Sequence, residues 1–126
     1  MNRIETDPNG LDQHALGAKL DTGKPVTSVL QQFGLALLEV SKVGTFGLQK
    51  YSFGGWQHVD NGIQRYDSAM MRHWLEEYTE DLDKGSGLRH AAHTAWNALA
   101  KLELLIREDH NVHITIPRTE PSKPSN

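Results

Sequence analysis

Residues 89–105 read RHAAHTAWNALAKLELL, and this stretch decides the fold. His90, His93, Asn97 and Lys101 recur at intervals of three and four, which places them on one face of a helix. Leu88, Ala91, Ala92, Ala95, Trp96, Leu99, Leu102, Leu104 and Leu105 surround that stripe and favour burial. A helix so apolar belongs near the centre of its domain. Its polar stripe then faces a partner, a metal, a ligand or a pocket, because buried polar groups require hydrogen-bond partners.

Two further helices are expected upstream. Val29, Leu30, Phe33, Leu37, Leu38 and Val40 have roughly helical spacing and predict a helix over 26–43, opening after Pro25. Gly34 weakens it locally, and Gly44 and Gly47 bend or end it. Ile63, Tyr66, Met70, Met71, Trp74 and Tyr78 predict a second helix over 63–80. The central helix is expected over 87–107, after the sharp connection DLDKGSG. Between the first two helices, Gly54, Gly55 and Asn61-Gly62 mark a loop that Tyr51, Phe53 and Trp56 anchor. The fold class is therefore all-α. One short strand is expected at Val112, Ile114 and Ile116, which alternate and need a partner strand. Three stretches are delineated: an N-terminal arm 1–24, a helical domain 25–116 and a polar, proline-bearing tail 117–126.

Composition narrows the class. A chain of 126 residues suggests one domain with one modest core, and association of copies would bury more. Thirteen basic and sixteen acidic residues give a net charge of −3, which argues against a broad grip on extended nucleic acid. With no cysteine, disulfides, thiolate metal sites and cysteine nucleophiles are excluded. No apolar run is long enough to span a membrane, and MNRIETDPNG lacks the apolar core of a signal peptide. A soluble cytoplasmic protein is expected.

Single motifs are less decisive. GAKLDTGKP places five residues between Gly17 and Gly23 where a phosphate loop has four, and Pro25 replaces its Ser/Thr. His90 and His93 can share a metal or simply bond neighbouring helices. Glu39, inside LALLEVSKV, lies on a solvated edge or points into a polar pocket. Asp67 and His73 on the second helix pose the same question. Arg72 is a surface residue or a phosphate clamp. EEYTEDLD reads first as a solvated helix end, and Asp83 becomes a metal candidate only if its loop turns inward. There is no His-Asp doublet and no compelling Ser-His-Asp set.

Taken in order, GAKLDTGKP, LLEVSKVGTFGLQKY, GGW, RYDSAMMRH and the D-x-x-S-G-L-x-H-x-x-H-x-x-x-N run resemble the phage-associated dATP/dGTP diphosphohydrolase N-terminal-type domain. The resemblance spans roughly Gly17 to Leu105. It implies a compact helical domain that hydrolyses a purine deoxynucleoside triphosphate to the monophosphate and pyrophosphate. It also implies Mg²⁺ or Mn²⁺ as cofactor, a purine nucleotide as ligand and action in the host cytoplasm. The catalytic candidates are Glu39, Asp67, His73, His90 and His93, with Glu39, Asp67 and Asp83 as metal ligands. Lys19, Lys24, Lys42, Lys50 and Arg72 would neutralise the triphosphate, Tyr51 or Trp56 would stack on the base, and Asn97 would complete the pocket. Gly85 departs from the family pattern, which usually has a glutamate before the Ser-Gly pair. Asp81, Asp83 or Glu80 would then supply the acid. A non-catalytic protein that binds a nucleotide or a nucleotide-derived signal, or inhibits a host protein, is the alternative. A homo-oligomer is expected in either case, and a purely structural helical protein is the third reading.

Overall fold

A computed structural model describes residues 4–110. The chain divides between Phe33 and Gly34 into two compact units. The first is built from turns and a 3-10 helix at Thr27–Phe33. Its turns are organised by Asp7, whose Oδ1 accepts the Asn9 N–H at 2.7 Å and whose Oδ2 accepts the Lys19 N–H at 2.7 Å. These backbone donors, Lys19 foremost, hold the Asp7 carboxyl below its ordinary value.

The second unit carries three α-helices: α1 at Gly34–Gly47, α2 at Gly62–Glu76 and α3 at His90–His110. The all-α expectation holds. Among the described residues no strand is named, and Leu82 and Arg89 form one isolated antiparallel bridge. The strand expected at 112–116 and the tail lie outside the described residues.

Helix boundaries differ from the periodicity for local reasons. The helix expected over 26–43 becomes α-helical only at Gly34 and continues to Gly47. Gly34 and the β-branched Val26, Thr27 and Val29 disfavour an α-helical start before it. Helix α2 ends at Glu76, where the chain tightens into a bond from Tyr78 N–H to Leu75 O at 3.1 Å. Helix α3 starts at His90 because Gly87 has φ +72, a left-handed backbone that cannot open a right-handed helix.

Packing centres on α2 against α3, with α1 laid on α3. Two glycines permit the close approaches. A Cβ at Gly44 would lie 3.0 Å from Trp96 Nε1, and one at Gly62 would lie 3.0 Å from Leu104 Cδ1. Trp56, Tyr66 and Trp96 meet edge to face, with centroids 5.8–6.4 Å apart. The Tyr66 hydroxyl donates to Trp56 O at 2.8 Å, and Arg107 donates to Gln57 Oε1 at 2.6 Å. The loop before α2 is thereby fixed through Trp56, while Tyr51 stays exposed.

The core is not the expected one. Leu37, Trp74, Leu99 and Leu102 are 43–52% exposed, whereas the buried side chains include Val43, Ala92, Ala100, His90, His93 and Asn97. Helix α3 turns its polar stripe inward and leaves much of its leucine face outside. Small residues on the stripe side, Ala92 and Ala100, allow the neighbours to approach. The histidines and Asn97 then find their partners in the interior.

Candidate metal centre

The link between α2 and α3 shapes the site. Asp83 N–H donates to Leu88 O and Gly87 N–H donates to Asp83 O, both at 2.7 Å, and His90 N–H donates to Asp81 O at 2.8 Å. This closed loop turns the Asp83 side chain inward. Asp83 Oδ2 accepts the Ser86 N–H at 2.9 Å and the Ser86 hydroxyl at 2.8 Å. His93 Nε2 lies 2.7 Å from the same hydroxyl oxygen, which also accepts the Leu88 N–H at 3.1 Å. The hydroxyl has one proton, and the carboxylate takes it. His93 must therefore carry its proton on Nε2 and donate it to Ser86. Asn97 Nδ2 donates to His93 O, one turn back, at 2.8 Å.

Beside this chain of bonds, four donors converge. His73 and Glu76, one turn apart on α2, meet Asp83 and His90, with one ligand atom from each lying within 4.8 Å of the others. The Nδ1 atoms of His73 and His90 are 2.9 Å apart, and Glu76 Oε2 is 3.5 Å from His90 Nδ1. The His73 ring stacks on His93 with centroids 4.3 Å apart and planes within 10°.

Burial sets the protonation. It pushes His73 below its ordinary value, against the Asp83 charge that opposes the shift. It lowers His93 too, assisted by the neighbouring His73. For Asp83 burial acts upward, but the Ser86 hydrogen bonds and the two histidines outweigh it and hold the carboxyl low. A neutral His73 imidazole beside an ionised Asp83 carboxylate is the form in which these two groups ligate metal.

The geometry fits a divalent ion. Ligands about 2.0–2.1 Å from a metal, at tetrahedral or octahedral angles, stand about 2.9–3.4 Å apart. The His73–His90 separation lies at the lower end of that range, and the Glu76–His90 separation lies just above it. In addition, His90 is 1% exposed and its Nε2 has no hydrogen-bond partner. The cluster therefore engages His90 through Nδ1 alone, the nitrogen that faces His73 and Glu76.

The remaining expected site residues are distributed more widely. Glu39 and Asp67 fall outside the four-donor group: Lys42 holds Glu39 at 2.7 Å and Lys101 holds Asp67 at 2.6 Å. Lys50 is exposed above the Phe46 ring, and its charge acts on His93. Arg72 is exposed, and its charge acts on His73. Tyr51 is open to solvent, whereas Trp56 is engaged by Tyr66 and Trp96. Lys19 and Lys24 belong to the first unit, where Lys24 pairs with Glu5 at 3.0 Å.

Sequence reasoning missed Glu76 and the part played by Ser86. A signal for Glu76 was present. His73 and Glu76 repeat on α2 the three-residue spacing of His90 and His93 on α3, a pattern by which facing helices build metal sites.

Comparison with known proteins adds the family context. The family described as dATP/dGTP diphosphohydrolase, N-terminal, matches residues 14–112. A Salmonella phage PMBT28 protein described as a dATP/dGTP diphosphohydrolase is 41% identical over 81 residues, which is 63% of this chain and 26% of that protein. The match thus spans about a quarter of that relative's length. No solved structure matches the chain.

Proposed function

Because this chain belongs to the dATP/dGTP diphosphohydrolase N-terminal family, we propose that it serves the hydrolysis of a purine deoxynucleoside triphosphate to the monophosphate and pyrophosphate. The observation that carries this reading is the convergence of His73, Glu76, Asp83 and His90 on one point. A divalent cation bound there would polarise a phosphate oxygen and lower the pKa of water. Mg²⁺ or Mn²⁺ is the cation that the family resemblance implies for it.

The protein's own groups have separate tasks in this proposal. His73, Glu76, Asp83 and His90 hold the cation. Ser86 and His93 fix Asp83 and the His73 ring. Lys50 and Arg72 are exposed cations whose charges act on His93 and His73, and they would steady a triphosphate. Tyr51, next to Lys50, is exposed and would stack on the base. Glu39 and Asp67 are flanking carboxylates already neutralised by lysines. Asn97 spends its amide on the His93 carbonyl and so supports the site from beneath. The exposed leucines of α1 and α3 favour a homo-oligomer. Among the described residues no helix is long and apolar enough to cross a membrane; action in the host cytoplasm is part of the proposal.

A second reading is favoured by one observation: the match covers only 26% of the phage relative. The hydrolytic step named for that protein can reside in its other part, with this portion binding the nucleotide. Incubation with each of the four dNTPs and Mg²⁺ or Mn²⁺ decides between them. Release of pyrophosphate and dNMP from dATP or dGTP supports hydrolysis. Saturable binding with the triphosphate recovered intact supports the binding module.

A further inference from the structure

Two of the four converging donors are imidazole nitrogens, and Mg²⁺ is a poor match for them. Mg²⁺ takes oxygen ligands, demands near-ideal octahedral geometry and gives up water reluctantly. Imidazole suits the later first-row ions, whose affinity for such sites rises from Mn²⁺ through Co²⁺ to Cu²⁺. We infer that His73, Glu76, Asp83 and His90 form a site for a transition ion of the Co²⁺-to-Zn²⁺ group, held in preference to Mg²⁺. The inference rests on the reading above only for the location of the ion. Any Mg²⁺ in the reaction then accompanies the phosphates of the nucleotide.

Three observations carry this. The nitrogen pair is set at a metal bite, with Nδ1 atoms 2.9 Å apart on two different helices. The ring of His90 is 1% exposed, and its Nδ1 is turned toward His73 and Glu76 of the same cluster, away from bulk solvent. The donors also sit on fixed supports. His73 and Glu76 are separated by one turn of α2, and Asp83 is clamped by two bonds from Ser86. Fixed supports of this kind allow a site to select by geometry and ligand type, where raw affinity alone does not discriminate.

The test uses the whole chain, stripped with a chelator and titrated with Co²⁺ as a spectroscopic probe. A single Co²⁺ per chain should give visible d–d absorption. An equivalent of Zn²⁺ should remove the absorption, and a large excess of Mg²⁺ should leave it. Loss of an outer partner commonly weakens metal sites about 10–100-fold, so loss of a ligand should reach at least that range. Glu76→Gln should weaken Co²⁺ binding at least about tenfold, and His73→Gln at least about a hundredfold. Glu76 is 53% exposed, so its variant retains the fold, which circular dichroism checks. Unchanged Co²⁺ spectra in both variants, or displacement by equimolar Mg²⁺, overturn the inference. Turnover of dNTP with Mg²⁺ in a chain that never binds Co²⁺ also overturns it, and leaves the hydrolase reading standing. Co²⁺ held at the cluster with no turnover under any metal supports it, and removes the hydrolase reading instead.

Discussion

His73 and His90 approach each other through their Nδ1 atoms at 2.9 Å, across seventeen residues of chain and from two different helices. Without a metal, one nitrogen must donate and the other accept, so the pair shares a single proton. With a metal, both nitrogens are bare and face the same ion. The contact therefore links occupancy of the site to the pairing of α2 with α3.

The first prediction concerns Ser86. Its hydroxyl joins Asp83, His93 and the Leu88 N–H. Ser86→Ala should lower stability by about 1–3 kcal/mol, the range for leaving part-buried polar groups unpaired. Urea unfolding monitored by tryptophan fluorescence measures it. A change within error would show that these bonds do not hold the loop.

The two activity variants that discriminate best are Glu39→Gln and Glu76→Gln. Lys42 already holds Glu39 and an exposed ion pair contributes little, about 0–1 kcal/mol. Glu76 faces His90. Turnover of dATP or dGTP should fall at least about tenfold in Glu76→Gln and by clearly less than that in Glu39→Gln, in keeping with the metal-site magnitudes. Asp67→Asn should behave like Glu39→Gln. Equal losses in all three would relocate the chemistry to a wider acidic surface.

Much of this arrangement was legible, and what was not has a physical cause. The spacing of His90, His93 and Asn97 revealed the buried stripe directly, because three-and-four spacing fixes a helix face whatever the neighbours do. Glu76 was masked by EEYTEDLD, where charge density suggests solvent and outweighs its three-residue spacing from His73; the inward turn at Asp83 brings its partners to it. The meeting of His73 with His90 depends on that same turn, which no periodicity encodes. Leu99 and Leu102 misled for a different reason: α3 is apolar on both sides, so hydrophobicity alone cannot choose which side is covered.

The metal-free chain should also lose stability in mild acid. His73 and His93 have lowered folded values, so near their ordinary value of 6.5 the unfolded chain takes up protons that the folded chain refuses. Their contribution is complete above about pH 6.5 and declines as pH falls from there to the folded values. His73 is faced by Asp83, His90, Glu76 and Arg72, and His93 by His73, Asp83, His90 and Lys50. Asp83 adds a separate loss at lower pH, below the carboxylate value of 3.8. Urea midpoints measured with chelator from pH 8 to pH 5 should decline (about these limits). His93→Gln should flatten the slope, and a flat wild-type profile would contradict the burial argument.

Two glycines make a paired test of packing. Gly34→Ala has open space and should be neutral or stabilise by up to about 1 kcal/mol through helix propensity. Gly44→Ala meets Trp96 Nε1 at 3.0 Å, and Trp96 is held by Trp56 and Tyr66. That ring cannot yield freely, so a loss of about 1–3 kcal/mol is expected. Thermal unfolding of the two variants should move in opposite directions, or only Gly44→Ala should move.

All four converging donors lie between His73 and His90, inside one helical hairpin closed by the Asp83–Leu88 turn. Contacts of such short sequence separation form early, because little loop entropy opposes them. The cluster can therefore assemble as soon as α2 and α3 zip together, before α1 docks against Trp96. A cation that binds this cluster would then be captured during folding, and a nascent chain in metal-rich medium should reach its hairpin faster than a stripped one.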